Sequence, residues 1–323
     1  MTIPTTMRAM VTMGHGGIDQ MVWHENWPTP EPMANEVLVK VKACGLNNTD
    51  VNTRSGWYSK AVSEATTGDA YETVSEDDPT WGAAPITFPR IQGADVCGEI
   101  VAVGDAVDSA RIGERIITDN WLRDPNDPTN INKTGYFGSE CDGGFAEYTT
   151  MPAVNAIPFH SHFTDAEMAT FSCSYSTAEG MLTRANVTDA DTVLVPGASG
   201  GVGGALVQLA KRRGARVIAL ASEAKHADVA ALGPDVILPR GPVDLRAALG
   251  DEKITVVADV VGGDYWPTLI DIIERGGRYT CSGAIAGPMV ELDLRTFYLR
   301  DLTFTGSTVI SPQVTKTLVK YIE

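Results

Sequence analysis

Three glycines stand where an apolar strand-like run meets a helix-like run. Gly197, Gly200 and Gly203 lie in the segment DTVLVPGASGGVGG, residues 191–204. Glycine lets the backbone turn sharply and approach a pyrophosphate, and the free N–H groups at a helix start favour an anion. The spacing departs from the common G-x-G-x-x-G, because Ala198 stands where the first glycine of that pattern would be. Within a strand, turn and helix that lead to a second strand, the segment predicts a dinucleotide site.

The end of that second strand, residues 216–221, indicates which dinucleotide is bound. A carboxylate about 20 residues after the glycines normally holds the 2′-hydroxyl of NAD, but this strand leads into Ser222, and Lys225 follows. A hydroxyl and a cation suit a 2′-phosphate, so the sequence favours NADPH over NADH, although Glu223 argues against it. The residues that we expect to bind the cofactor are Gly197, Ser199, Gly200, Gly201, Val202, Gly203, Ser222 and Lys225.

The elements around this site change in character near residue 153. After it, apolar runs alternate with helix-like segments, which predicts a parallel, doubly wound sheet. Before it, short runs alternate apolar and polar residues between glycines, which predicts an antiparallel, barrel-like domain. The later runs are 192–195, 216–221, 235–238, 255–261, 278–281 and 302–307, and the earlier ones are 36–44, 98–103, 115–118 and 144–151. We expect an α/β protein with one domain over 1–153 and a second over 154–310.

Two stretches are polar and show no periodicity, residues 59–90 and 119–143. Loops of this length are usually functional lids or mobile insertions, and the sequence does not decide between the two. The chain ends in a helix-like segment, residues 311–323, which we expect to be the start of a return to the first domain.

Charge and composition narrow the class of partner. The 323 residues include 25 Lys and Arg against 41 Asp and Glu, a net charge of −16, which repels nucleic acid and anionic membranes. No run approaches the ~18 apolar residues of a membrane span, and the N-terminus lacks the features of a secretion signal. The five cysteines are scattered, as is usual for reduced thiols. These features predict a cytoplasmic protein that acts on a small-molecule substrate.

Several segments together resemble the medium-chain dehydrogenase/reductase superfamily, and in particular its zinc-independent quinone-oxidoreductase-like branch. They are residues 36–50 (EVLVKVKACGLNNTD), 54–58 (RSGWY), 93–104 (GADVCGEIVAVG), 143–148 (GGFAEY), 197–203 (GASGGVG) and 260–266 (VVGGDYW). The resemblance implies a GroES-like antiparallel β-barrel as the catalytic domain and a Rossmann domain that binds NADP. It also implies that such chains continue beyond the segment 311–323.

The same resemblance argues against catalytic zinc. Zinc-dependent members have a cysteine and a histidine where this sequence has Asn47 and Ala94. Cys173 matches the remaining ligand cysteine, but a catalytic zinc needs three protein ligands. Asp95 could in principle bind a metal, yet members of the zinc-independent branch also carry an acid there. We therefore expect no metal site.

Four residues are the catalytic candidates implied by the resemblance. Tyr58 matches a tyrosine of the quinone-reductase-like proteins and the proposed proton donor of 2-enoyl-thioester reductases, and Asn52 matches the latter group. Asn47 replaces the zinc cysteine, and Thr49 lies where zinc alcohol dehydrogenases keep a proton-relay hydroxyl. Each of the four could instead have a structural role, such as packing for Tyr58.

The expected activity is NADPH-dependent hydride transfer to a quinone or another activated, enone-like carbonyl acceptor. Without zinc to polarise the carbonyl, acceptors that are easy to reduce are favoured. The alternatives are a 2-enoyl-thioester reductase, a zinc-type alcohol dehydrogenase with altered ligands, and a protein that binds NADPH without catalysis. We also expect a homodimer formed through the last strand, residues 302–307, which would otherwise be an exposed apolar edge.

Overall fold

The computed structural model describes residues 2–66, 74–75, 85–240 and 244–323, and the chain divides into two compact units. The described residues of the first unit fall within Met1–Val62, Thr67–Cys173 and Ser311–Glu323, and those of the second within Ser63–Thr66 and Ser174–Ile310. The sequence places the change of domain at residue 153, whereas residues 154–173 lie in the first unit. The reason is packing, because Phe159 and Met168 belong to one buried cluster with Cys97 and Ile117 of the antiparallel sheet.

The elements are numbered in chain order. The strands are β1 (Thr6–Thr12), β2 (Met21–Pro28), β3 (Glu36–Gly45), β4 (Asp95–Val103), β5 (Arg115–Thr118), β6 (Trp121–Arg123), β7 (Thr134–Tyr136), β8 (Tyr148–Pro152), β9 (Ala156–Pro158), β10 (Thr192–Val195), β11 (Arg216–Ala221), β12 (Val236–Pro239), β13 (Ile254–Asp259), β14 (Ile273–Cys281) and β15 (Thr303–Gly306). The helices are α1 (Asn48–Ser55), α2 (Asp165–Met168), α3 (Ser172–Arg184), α4 (Gly201–Arg212), α5 (His226–Ala230), α6 (Leu245–Leu249), α7 (Trp266–Asp271), α8 (Leu294–Leu299) and α9 (Gln313–Ile322).

The first unit is built on an antiparallel sheet in the order β8-β3-β4-β5-β9, with β1 and β2 forming a separate hairpin. Period-two patterning creates its core, because Val37 and Val39 of β3 point to one face and are fully buried with Val96 and Ile100 of β4. The opposite face of β3 is also covered at Leu38, which is buried in a separate cluster with Met7 and Val11 of β1. The predicted antiparallel architecture of this part of the chain is confirmed.

The polar stretch 119–143 is not the structureless loop that the sequence predicts. It contains the antiparallel pair β6 and β7, in which Trp121 lies opposite Tyr136. The two rings pack edge to face, with their centroids 4.9 Å apart. Asn155, from outside the stretch, donates to the carbonyl groups of Asp119 and Trp121 at 2.7 and 2.9 Å. These tertiary contacts stabilise strands that are too short to show a pattern in the sequence.

The second unit contains a six-stranded parallel sheet in the order β12-β11-β10-β13-β14-β15. Counted from β10, this is the 3-2-1-4-5-6 order of doubly wound nucleotide-binding folds. The strands are buried, with Leu194, Ile218 and Val257 packed in one cluster against Leu245 of α6 and Leu269 of α7. The predicted α/β fold class, with a doubly wound second domain, is confirmed.

Of the predicted loop 59–90, residues 67–73 and 76–84 lie outside the described residues. Over the part of the chain that is described, no helix combines the length and apolarity needed to cross a membrane.

Candidate functional site

Helix α1 and the turn after it bring three of the four catalytic candidates together. Thr49 and Asn52 lie on α1 and are buried, and the helix ends at Gly56, whose φ of 81° is in the left-handed region that favours glycine. The N–H of Trp57 closes the turn on the carbonyl of Asn52 at 2.9 Å. The reversal returns the chain over the helix, so that the Tyr58 hydroxyl lies 3.4 Å from Thr49 Oγ1.

The hydroxyl of Tyr58 is held as a protonated donor. Asn52 and Thr49 both hydrogen-bond it through their side chains, but burial has the larger effect and raises the pKa of Tyr58 above its ordinary value. The hydroxyl therefore stays protonated across the neutral pH range. A partly buried, protonated phenol with two polar neighbours is able to act as a general acid.

The fourth candidate, Asn47, is placed by a different partner. It stands at the N-cap of α1, and its Nδ2 donates to Asp95 Oδ2 at 3.0 Å. Its backbone N–H donates to Asp50 Oδ2 at 2.9 Å, which is the acidic half of a capping box. Two carboxylates thus fix the backbone and the side chain of Asn47 at the start of the helix.

Asp95 is the centre of a wider hydrogen-bond network in the first unit. Its Oδ1 accepts from Asn120 Nδ2 and from the backbone N–H of Cys173, both at 2.9 Å. Asn120 Nδ2 also donates to the Tyr136 hydroxyl at 3.1 Å. Burial raises the pKa of Asp95 to about 6, so the group is mainly ionised at neutral pH. No motif in the sequence points to Asn120, which lies in the stretch predicted to be a loop.

Asp50 is a second buried carboxylate close to this network. Besides the N–H of Asn47, it accepts the N–H of Gly93 at 3.2 Å. Burial raises the pKa of Asp50 to about 7, and the nearby charge of Asp95 contributes to the shift. Because the Asp50 carboxylate accepts hydrogen bonds from backbone N–H groups of two segments, it joins the start of α1 to the segment before β4. Asp50 therefore orients the chain at the start of α1.

Metal ligands were a question for the described residues of the first unit, because zinc-dependent dehydrogenases require a three-ligand centre. Catalytic zinc is held by three protein ligands, drawn from cysteine, histidine and carboxylate. Among the described residues, no group of three or more His, Cys, Asp or Glu side chains could hold a metal ion. Asp95 is surrounded by amide donors, and amide N–H groups do not coordinate a cation.

The glycine-rich turn of the second unit lies between β10 and α4. Gly197 has a φ of 67°, and a Cβ atom at Gly203 would lie 2.2 Å from the carbonyl oxygen of Gly197. Helix α4 begins at Gly201, ahead of the apolar pattern that predicts a start at residue 205, so Gly201, Val202 and Gly203 form its first turn. Ser199, Gly200 and Gly201 are exposed, which leaves the start of the helix open to a phosphate.

The neighbouring strand end carries the residues predicted to select the dinucleotide. Ser222 and Lys225 are exposed just after β11, and Lys225 Nζ lies 3.2 Å from Asp228 Oδ2 in an exposed ion pair. The structure adds Arg240, which sequence reasoning missed. Its backbone N–H donates to the carbonyl of Ala221 at 2.8 Å, so Arg240 lies beside Ser222 at the same edge of the sheet. The signal in the sequence is its position directly after the third strand.

A buried acid shapes the loop after β13. Asp259 accepts the N–H of Val261 at 2.7 Å and the hydroxyl of Tyr279 at 2.9 Å. This turn ends the strand at residue 259 instead of the predicted 261. A Cβ atom at Gly197 would lie 2.9 Å from the Val261 side chain, so the loop borders the glycine-rich turn.

Comparison with known proteins gives matches over both units. Residues 33–161 match the family described as alcohol dehydrogenase GroES-like domain, and residues 201–323 match the family described as zinc-binding dehydrogenase. A candidate alcohol dehydrogenase from Sinorhizobium meliloti 1021, with a solved crystal structure, is 46% identical. The match has a TM-score of 0.89 and covers 99% of this chain and 87% of that one.

Two curated relatives match at lower identity. Acryloyl-coenzyme A reductase of Metallosphaera sedula is 26% identical over 310 residues, 93% of this chain and 84% of the relative. The NADPH-dependent alkenal/one oxidoreductase of Arabidopsis thaliana is 27% identical over 290 residues, 89% of this chain and 65% of the relative. The two matched domains, in this order and on these folds, show that the chain belongs to the medium-chain dehydrogenase/reductase superfamily of NAD(P)-dependent oxidoreductases.

Proposed function

We propose that this protein is an NADPH-dependent reductase that transfers a hydride to a quinone or another enone-like acceptor without catalytic zinc. The observation that carries the proposal is the partly buried hydroxyl of Tyr58, held by Thr49 and Asn52. An activated acceptor that takes up a hydride becomes an anion and then needs a proton. A protonated phenol supplies that proton, and such acid catalysis contributes typically 10²–10⁴-fold in rate.

The residues of the second unit suit a dinucleotide. The turn from Gly197 to Gly203 and the first N–H groups of α4 would hold its pyrophosphate, and only glycine fits at position 203, where a Cβ atom would lie 2.2 Å from the Gly197 carbonyl oxygen. When bound, NADPH supplies the hydride, and the proton comes from the protein. Ser222 and Lys225 would hold the 2′-phosphate. The ion pair of Lys225 with Asp228 is exposed, and such pairs are weak enough for the lysine to turn to a phosphate.

In the first unit, Asn47 and Tyr58 would polarise the acceptor, and Thr49 would help to relay the proton. The amide nitrogen of Asn47 carries two hydrogens, of which one bonds Asp95. Thr49 hydrogen-bonds the Tyr58 hydroxyl and can pass a proton to the phenolate after Tyr58 has donated its own proton. Asn52 would orient Tyr58 through its side-chain hydrogen bond.

A 2-enoyl-thioester reductase is the second candidate. The reductase of Metallosphaera sedula is named for such a substrate, and Asn52 and Tyr58 match that group. Coenzyme A esters are strongly anionic, however, and three cations of the first unit are engaged with carboxylates. Arg90 pairs with Asp142, Arg123 with Asp119, and Lys133 with Asp124. These pairs favour the uncharged acceptor.

The test is NADPH oxidation at fixed enzyme concentration, with an ortho-quinone, an enone and a 2-enoyl-coenzyme A ester assayed side by side. Turnover with the quinone or the enone but not with the thioester is the expected result. Turnover with the thioester alone would replace the proposal by the second candidate. NADPH binding without turnover of any acceptor would favour a non-catalytic protein. Stoichiometric zinc in protein purified without chelator would favour an altered alcohol dehydrogenase.

We further propose that the protein is a homodimer that pairs through β15. Within the described chain, β15 pairs only with β14 and so ends the parallel sheet. Helix α8, which precedes it, exposes three large apolar side chains, Leu294, Tyr298 and Leu299. A sheet edge beside exposed apolar side chains is the kind of surface that a second copy covers.

A further inference from the structure

Asp95 is an unusual carboxylate, because it is 1% exposed and has no positive partner within the described part of the chain. Its hydrogen-bond donors are three neutral N–H groups, from Asn47, Asn120 and Cys173. Burying a charge without a counter-charge costs several kcal/mol. A packed apolar or amide side chain at position 95 would avoid that cost, so the carboxylate is expected to have a role beyond stability.

The donors come from three separate parts of the first unit. Asn47 caps α1, Asn120 lies between β5 and β6, and Cys173 is in the first turn of α3. Each donates to Asp95 at 2.9–3.0 Å, so one carboxylate fixes their mutual positions. Asn120 extends the network to the Tyr136 hydroxyl, and Tyr136 in turn hydrogen-bonds the Cys173 side chain.

An ionised carboxylate also decides how the two amides are turned. It accepts hydrogen bonds and cannot donate, so the nitrogen of Asn47 and the nitrogen of Asn120 must both face it. The carbonyl oxygens of the two amides are then turned away. With a neutral group at position 95, either end of each amide could face it. The orientation of Asn47, a candidate for contact with the acceptor, therefore depends on the charge of Asp95.

We propose that Asp95 is a positioning residue, whose carboxylate holds the Asn47 amide in the single orientation that the reduction uses. It does not touch the acceptor, because it is buried beneath the residues that it binds. This inference rests on the proposed function, because Asp95 acts through Asn47, and Asn47 is proposed there to polarise the acceptor. Asn120 and Tyr136 share the task. Asn120 donates to the second oxygen of the same carboxylate, and Tyr136 hydrogen-bonds the side chain of Cys173.

The kinetic test compares Asp95→Asn, Asn47→Ala and the double variant. Misplacing a group that contacts the reacting atoms can cost about 10²-fold, so we expect Asp95→Asn to lower kcat by at least tenfold. The KM for NADPH should change less than about threefold, because the residues proposed to bind the cofactor belong to the second unit. In the Asn47→Ala background, the further change Asp95→Asn should have little effect on kcat. Additive effects would overturn the proposal.

Asp119→Asn is the matched control. Asp119 is another buried carboxylate of the first unit, paired with Arg123, and it has no bond to Asn47. Its replacement should lower thermal stability and leave kcat within about twofold. An equal loss of kcat in Asp119→Asn and Asp95→Asn would mean that loss of stability alone explains both, and would overturn the positioning role.

A spectroscopic readout keeps the inference independent of turnover. In protein labelled with ¹⁵N-asparagine, the side-chain NH₂ signals of Asn47 and Asn120 can be assigned from the Asn47→Ala and Asn120→Ala variants. We expect the NH₂ signals of Asn47 and Asn120 to shift in Asp95→Asn. The NH₂ signals of the other asparagine side chains should be unchanged. Unchanged signals would overturn the proposal. If the wild type reduces no acceptor, the proposed function fails, while these shifts still report whether Asp95 orients the two amides.

Discussion

Gly203 lies against the carbonyl group of Gly197, so closely that a Cβ atom at position 203 would come within 2.2 Å of that oxygen. The contact joins the first turn of α4 to the start of the loop after β10. The obstructing atom belongs to the backbone, so no side-chain rotation can relieve the clash. The glycine-rich turn therefore keeps its shape only while position 203 carries no side chain.

The variant Gly203→Ala should weaken NADPH binding by at least about tenfold. Overpacking of a tight site costs about 1–3 kcal/mol, and 1.4 kcal/mol corresponds to tenfold in Kd. Titration of NADPH fluorescence measures the change. Gly306→Ala is the control, because a Cβ atom there meets nothing within 4 Å. An unchanged Kd in Gly203→Ala would contradict the assignment of this turn to the cofactor.

Replacing Tyr58 by phenylalanine removes the proposed proton donor and keeps the ring. We expect kcat to fall by about 10²-fold or more, with the KM for NADPH nearly unchanged. Burial raises the pKa of Tyr58, so wild-type activity should show no alkaline loss from this group below about pH 9. Tyr321→Phe, on α9 and partly exposed, is the control. Full turnover by Tyr58→Phe would remove the residue from the mechanism.

The choice between NADPH and NADH should depend on the end of β11. Lys225→Ala is expected to lower kcat/KM for NADPH by about tenfold and to leave that for NADH little changed, because only NADPH carries the 2′-phosphate. Ser222→Asp should go further and favour NADH, since a carboxylate repels the phosphate and accepts the 2′-hydroxyl. Lys320→Ala controls for the loss of one exposed positive charge. Equal losses for both cofactors would argue against the assignment.

Asp191 should stabilise the second unit in a pH-dependent way. Burial raises its pKa, but the Thr188 N–H, the Thr255 hydroxyl and the Arg278 guanidinium together lower it below the ordinary value. A lowered carboxyl pKa stabilises the fold above about pH 4, and this contribution is lost as the pH falls through the folded-state pKa.

For Asp191→Asn we therefore expect the free energy of unfolding to fall by about 2 kcal/mol at pH 7, the scale of hydrogen bonds to charged groups. The difference from wild type should shrink below about pH 4. Calorimetry across this range measures both effects. Asp293→Asn, which breaks the exposed pair with Arg295, should change little. A difference that grows towards low pH would contradict the sign.

A charge on the apolar surface of α8 should prevent pairing of two copies. Leu299 is 55% exposed, and Leu299→Glu would place a carboxylate in the proposed contact, where it loses its hydration. Light scattering after gel filtration should then give about half the mass of the wild type. Ile18→Glu, on an exposed turn of the first unit, should leave the mass unchanged. A wild type that is already monomeric at micromolar concentration would exclude the dimer.

Local patterns in the sequence were enough to predict the fold of the second unit. Its central strands β10, β11 and β13 are buried on both faces, so they are mainly apolar runs, and its glycine turn is a short contiguous motif. The bounds of β13 and α4 differ from the predicted ones, because they depend on contacts that the pattern does not contain. Asp259, for example, ends β13 by accepting N–H groups from the next residues, and Gly201 begins α4 before any apolar residue of the helix.

The sequence alone thus determined the α/β architecture. It also predicts the cofactor turn and the candidate set Asn47, Thr49, Asn52 and Tyr58, because each of these groups lies close together along the chain. Only the tertiary structure decided that Asp95 joins Asn47, Asn120 and Cys173. These partners come from distant segments, and a single buried carboxylate leaves no periodic or spacing signal. The short strands β6 and β7 are similar, since their stability comes from the contact between Trp121 and Tyr136 across the pair and from Asn155, and not from a pattern along either strand.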